Sequence, residues 1–378
     1  MPGVKYIGPI FDGSGYAEAA RNYVLSIHRQ GYPVKLAPIS FEKTRPDLGE
    51  DGRILASLVN NNIEYDKVIV HCTPDLWAQA TRHEKGKYII GYTVWETSKI
   101  PEVWAKACND TANEVWVPCD WNMDVFKDSG VEVPLYKVPH AIDIPDMEAT
   151  PDFVLNQIPE DTFMFYSIFQ WQERKNPYGL LSAYTAAFSG VEDVVLVLKT
   201  YRADMSADKQ HIADLIRDFK RFINLPHYPK IYLVVENMSK EGITALHKRG
   251  DCFTLLQRSE GWGLPHFEAA AAGKPVITPG YGGQVDFLKE DNSYLTNYTL
   301  CPVGGMTWSP YYTGDQLWCE PDIKDAMDKM RHVYDNREEA KQKGAKAREF
   351  VTKNFSWDIV GDLIVNRLHE IDQGGGHV

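Results

Sequence analysis

Positive charge is in short supply: 40 Lys and Arg stand against 52 Asp and Glu, a net charge of −12. So acidic a chain carries no general electrostatic footprint for a nucleic-acid backbone, although a local basic patch stays open. No apolar run reaches the length needed to span a bilayer, and the opening MPGVKYIG lacks the apolar core of a signal peptide. The six cysteines, Cys72, Cys108, Cys119, Cys252, Cys301 and Cys319, form no CxxC pair and no metal-ligand spacing. They read as reduced, packed thiols, so a cytoplasmic protein without an integral membrane segment is expected.

What is present is enough chain for two cores: 378 residues, 44% of them hydrophobic. Short apolar runs at Tyr6–Gly8, Val34–Ala37, Val68–His71, Tyr88–Tyr92, Glu114–Val117 and Leu135–Val138 alternate with helical patterns. A polar, Pro-containing stretch from Ile142 to Pro159 reads as a linker. A second series follows at Phe163–Phe169, Val194–Leu198, Ile231–Val235, Cys252–Leu256 and Val276–Thr278. Such alternation predicts an α/β protein of two Rossmann-like, doubly wound domains, 1–145 and 146–356, expected to face a cleft. The stretch 297–319 breaks the periodicity and carries Trp308, Tyr311, Tyr312 and Trp318; a functional loop and a cover for a sheet edge are both open. The mixed-charge runs 203–222 and 336–350 read as solvated helix faces.

The most informative stretch is Cys252–Pro279, CFTLLQRSEGWGLPHFEAAAAGKPVITP. An apolar strand leads to Ser259-Glu260-Gly261-Trp262-Gly263, then to a helix with Pro265 at its expected first position, Glu268 in its first turn and Gly273 at its end. A glycine turn feeding a helix N-terminus turns backbone N–H groups and the positive end of the dipole outward, which suits a phosphate. Glu260 and Glu268, with seven residues between them, bracket that place, and carboxylates accept well from sugar hydroxyls. Phosphate beside hydroxyls describes a sugar nucleotide.

At these residues the sequence resembles the family-4 retaining glycosyltransferases, whose donor signature runs EG(F/W)GLPxxEAxAxGxPVI. The resemblance implies the two-domain GT-B fold, with acceptor bound mainly by the N-terminal half and donor mainly by the C-terminal half. It also implies that the final helix, 357–371 with Ser356 as N-cap, packs back on the first domain. In the matching positions Glu268 would bind the donor's ribose and Glu260 the sugar hydroxyls, with Gly261, Trp262, Gly263 and Leu264 shaping that subsite.

Other candidates sit at expected strand ends. Gly13, Ser14 and Gly15 form a turn into a helix, where the family places a glycine loop opposite the donor; a plain tight turn is the competing reading. Relatives carry an Arg and, about five residues later, a Lys aimed at the diphosphate. Lys175 matches the Lys, whereas the Arg position reads Gln170, leaving Arg174 or Lys199 as substitutes. His71 and Glu96 follow first-domain strands and are candidates for ordering acceptor or phosphate, with packed or capping roles as the alternative. His140 matches a position of structural use. Asn237 is a candidate for reading the base, beside a possible helix cap at Ser239.

The expected reaction moves a sugar from a UDP- or GDP-sugar to a hydroxyl with retention, by front-face attack. The only small molecule required is that nucleotide-sugar co-substrate. No catalytic metal is assigned, because no Asp-x-Asp pair stands at a strand end and basic groups would take its role. A saccharide, protein or small-molecule acceptor is favoured over DNA or lipid. A sugar-nucleotide epimerase and a non-catalytic scaffold of the same fold are the alternatives.

Overall fold

The computed structural model describes residues 2–41, 45–155, 158–202 and 209–374. The start of the first mixed-charge run, 203–208, and residues 156–157 of the expected linker lie outside them. Contacts divide the chain into two compact units, Met1–Ile144 with Thr352–Val378, and Pro145–Val351. Among the described residues no helix is long and apolar enough to cross a membrane.

Unit 1 is built on six strands: β1 (Gly3–Pro9), β2 (Val34–Ile39), β3 (Tyr65–His71), β4 (Tyr88–Tyr92), β5 (Glu114–Val117) and β6 (Leu135–Lys137). They pair in parallel in the order β2-β1-β3-β4-β5-β6. Val68, Ile69 and Val70 are buried on both faces of the sheet, which is why β3 reads as a continuous apolar run. The direction of winding reverses between β1 and β3, and ligands of open α/β sheets sit at such a switch point.

The last helix, Trp357–Asp372, belongs to unit 1. Its Val360, Ile364 and Leu368 join Tyr23, Val24 and Ile27 of the helix Gly15–Arg29 in one core, and Trp357 Nε1 donates to Asn22 Oδ1 at 2.8 Å. Gly361 permits this approach, since a Cβ there would press on Ser26 O. Ser356 stands at the N-cap, but its hydroxyl caps nothing; its backbone instead bridges to Ile142.

Unit 2 carries β7 (Phe163–Trp171), β8 (Val194–Arg202), β9 (Lys230–Val234), β10 (Cys252–Thr254), β11 (Val276–Pro279) and β12 (Tyr294–Thr296). All are parallel, in the order β12-β11-β10-β7-β8-β9, so this sheet's switch point falls between β7 and β10.

The aperiodic stretch is a two-stranded antiparallel ribbon, β13 (Tyr298–Pro302) and β14 (Leu317–Pro321), that does not add a strand to β12. Val303, Met306 and Trp318 give it a small core of its own, while Trp308 is 60% exposed. The charge runs form helices Lys209–Ile223 and Arg337–Phe355, with exposed pairs such as Arg217–Asp214 and Lys341–Glu338 on their solvent faces.

Candidate active site

At the unit 2 switch point, β7 ends in a sharp turn, Glu173–Lys175. Asn176 takes the left-handed conformation at φ 49° and its side chain accepts from Gly179 N, capping the helix Pro177–Phe188. The turn directs Arg174 and Lys175 toward the loop after β10. Arg174 Nη1 donates to Glu260 Oε2 at 3.1 Å and to Ser259 O at 2.8 Å, and Lys175 Nζ donates to Glu260 Oε1.

All three side chains are buried. Burial by itself would raise the Glu260 carboxyl, but the charges of Lys175 and Arg174 outweigh it and hold the group at about 2. Arg174 and Lys175 therefore both pair with the one Glu260 carboxylate. Arg174, one of two substitutes considered for the Arg missing at Gln170, stands beside Lys175. Lys199 keeps other company: it lies over the Tyr201 ring at 5.6 Å, and burial lowers its pKa against the pull of Glu236. Gln170 accepts from Gln172 Nε2 at 2.9 Å.

The glycine turn beside Glu260 enters the helix Leu264–Ala271 through Gly263, left-handed at φ 87°. Helical geometry therefore starts at Leu264, which places Pro265 second and moves Glu268 beyond the first turn, a correction to the sequence expectation for both. Gly261 and Trp262 are buried, and Leu264 is half-buried. Behind the turn, His266 Nε2 lies 3.2 Å from Gln257 Oε1, and Gln257 Nε2 donates to Thr278 Oγ1 at 2.9 Å. Burial lowers His266 to about 4, so the ring is neutral.

A second glycine loop completes this place, and sequence reasoning missed it. Gly283 N donates to Glu260 O at 2.8 Å, and a Cβ on Gly283 would overlap the carbonyl of Gly261. The signal was available, since Pro279-Gly280-Tyr281-Gly282-Gly283 follows an apolar strand as Gly261–Gly263 does. Glu268 keeps its side chain 32% exposed and lies 3.6 Å from His247 Nε2. Asn237 is exposed, and Ser239 caps the helix Lys240–Arg249 by accepting from Gly242 N at 3.2 Å.

At the unit 1 switch point the glycine turn is tied by a residue that sequence reasoning passed over. Asp12, fully buried, accepts from Ser14 N at 3.0 Å, Ser14 Oγ at 2.6 Å and Phe41 N at 2.9 Å. Ser14 in turn caps the helix Gly15–Arg29, accepting from Ala17 N at 3.1 Å. Gly13 and Gly15 are exposed, and neither takes a positive φ.

His71 is not a loop group open to ligand, as one reading expected, but a fully buried ring among Tyr6, Tyr16, Tyr23 and Tyr92. Its Nδ1 is 2.6 Å from Tyr6 OH, and burial pulls its pKa well below the usual value. His140 is likewise buried and lowered to about 3, with Tyr23 OH at 3.0 Å. Glu96 is half-buried in a loop that Asn122 clasps through both backbone groups of Trp95, at 2.9 and 3.1 Å.

Two doubly wound parallel α/β units, each with its candidate loops at the switch point, define a GT-B fold. The chain is similar to HepE of Anabaena, solved in complex with UDP and glucose, with a TM-score of 0.66 and 14% identity over 98% of this chain and 100% of that one. It is similar to sucrose-phosphate synthase from Thermosynechococcus elongatus, with a TM-score of 0.68 and 13% identity over 99% and 100%. Identities this low make the likeness one of fold.

In sequence, residues 227–350 match the family model described as glycosyl transferases group 1. That segment contains both glycine loops, Glu260 and Glu268, but not Arg174 or Lys175. A further relative is uncharacterized protein 356 of Sulfolobus islandicus rod-shaped virus 1, 21% identical over 276 residues, 72% of this chain and 73% of that one.

Proposed function

We propose that the protein is a retaining glycosyltransferase that moves a sugar from a nucleotide-diphosphate sugar to a hydroxyl. The observation that carries this is the convergence of Arg174 and Lys175 on Glu260 beside the Gly261–Gly263 turn. Two buried cations brought together at one place are groups that can donate charge-assisted hydrogen bonds to a diphosphate. The match of 227–350 to group 1 glycosyl transferases supports the reading. The UDP of the HepE complex makes uridine the first base to try, with guanosine second.

The acceptor oxygen bonds to the anomeric carbon on the face the leaving group departs from. The bond from that carbon to the β-phosphate oxygen breaks, its electron pair stays on the nucleoside diphosphate, and a phosphate oxygen takes the acceptor's proton. Arg174 and Lys175 stabilise the departing charge, as a metal would elsewhere. Glu268 accepts from the ribose and Glu260 from the sugar, with Gly261–Leu264 around it. Glu96 is the acceptor-side candidate, and the acceptor is a saccharide, protein or small-molecule hydroxyl.

The test is a thermal-shift screen against UDP, GDP, ADP and their common sugars, then product analysis by NMR for the anomeric configuration. A shift with one nucleotide and a product of retained configuration are expected. Lys175→Ala is expected to lower turnover about a hundredfold. No shift with any nucleotide, or wild-type turnover in that variant, would sink the proposal.

A further inference from the structure

We infer that His247, oriented by Tyr166, is a positioning residue for Glu268 and sets how strongly the site prefers a ribonucleotide over one lacking a ribose hydroxyl. The inference rests on the reading of Glu268 as the ribose ligand. It comes from a chain of three groups on three elements: buried Tyr166 on β7, buried His247 on the helix Lys240–Arg249, and partly exposed Glu268 on the helix Leu264–Ala271.

Tyr166 is fully buried and His247 is 2% exposed. The phenol oxygen lies 2.8 Å from His247 Nδ1. The ring of Phe253 packs edge-on against Tyr166 at 5.4 Å, and Gly250 leaves room for the phenol, since a Cβ there would overlap it. The imidazole is therefore held at one end, while its other nitrogen, Nε2, has no hydrogen-bond partner and stands 3.6 Å from Glu268 Oε2.

The tautomer follows from these neighbours. Were Nδ1 to carry the proton, the Nε2 lone pair would face a carboxylate. With the phenol donating into Nδ1, Nε2 carries the proton and offers it to Glu268. A buried N–H without a partner carries a desolvation penalty that a carboxylate relieves.

At 3.6 Å the pair is longer than a hydrogen bond, and the one-third-exposed Glu268 side chain has freedom to close that gap. Contacts of this kind are often long in free enzymes and tighten once ligand binds. One carboxylate oxygen then rests on Nε2–H and the other accepts from the ribose, so that the contact with His247 offsets part of the cost of ordering a flexible Glu on binding.

Calorimetric titration of the full chain with UDP and 2′-deoxy-UDP, and with GDP and 2′-deoxy-GDP, tests this. For the nucleotide that binds, His247→Phe is expected to weaken the ribonucleotide about tenfold and the deoxy form less than about twofold. His247→Gln, whose amide can take the place of Nε2–H, should recover most of the preference, and Tyr166→Phe should fall between. A merely structural role would weaken both nucleotides together and would not be rescued by Gln. An unchanged preference in His247→Phe, or in Tyr166→Phe should the first not fold, overturns the inference alone. Absence of nucleotide binding by the wild type overturns the glycosyltransferase reading and this inference with it.

Discussion

The two units place loops at equivalent points of similar sheets and fill them with opposite chemistry. In unit 1, the turn after β1 is knit by Asp12 and Ser14, and β3 ends in a neutral His71 packed among four tyrosines. In unit 2, the turn after β7 sends two cations onto a carboxylate in the loop after β10. Sheet order decides where a ligand can sit; the side chains brought there decide which ligand it is. A switch point lined with uncharged rings offers packing and hydrogen bonds, whereas one holding two cations and a carboxylate offers ion pairs.

Removing the carboxylate should break this contrast most severely. Glu260→Leu takes from buried Arg174 and Lys175 the carboxylate that both pair with, and such a loss is expected to cost about 3–5 kcal/mol, or roughly 10 °C in Tm. Added pyrophosphate should restore more Tm to this variant than to the wild type, because it supplies the missing negative charge. A wild-type Tm without any anion would show that the pair does not hold the loop.

Acid should separate the units next. A buried histidine whose folded pKa is depressed takes up its proton more readily in the unfolded chain, so its contribution is present above about pH 6.5 and is lost as pH falls toward the folded value. His140, at about 3, and the lowered His71 act in unit 1, against His266, at about 4, in unit 2. Each contributes about 1.4 kcal/mol per pH unit. Amide exchange between pH 6.5 and 5, corrected for its intrinsic pH dependence, should therefore show unit 1 losing protection about twice as steeply. Equal slopes would mean that the tyrosine-lined pocket admits water.

The smallest effect concerns a part of unit 2 with no counterpart in unit 1's sheet. Trp308→Ala on the ribbon should change stability by less than about 0.5 kcal/mol, because the ring is 60% exposed. A melting curve settles this, and a large loss would mean that the ring packs against something essential.

Much of the fold was legible because parallel strands buried on both faces announce themselves. Val68–Val70 and Val194–Leu198 are unbroken apolar runs, and both are strands. The edge strand Tyr294–Thr296 escaped because three residues are too few to show a period, and Tyr298–Pro302 because it is mostly exposed. At the site, Gly261–Gly263 was legible as a turn into a helix. Asp12 was not, because an Asp before a glycine reads as an ordinary turn residue until the backbone groups it ties are seen.

By itself the sequence determined the local grammar: strand, glycine turn, helix, and the residue types standing at each strand end. Periodicity and capping act within a few residues, so they can be read along the chain. Only the tertiary structure decided who meets whom. Lys175 and Glu260 are 85 residues apart, and His247 and Glu268 lie on separate helices. These pairs form because the order β12-β11-β10-β7-β8-β9 sets β7 beside β10, and the spatial order of strands is a property of the packed sheet that no local pattern encodes.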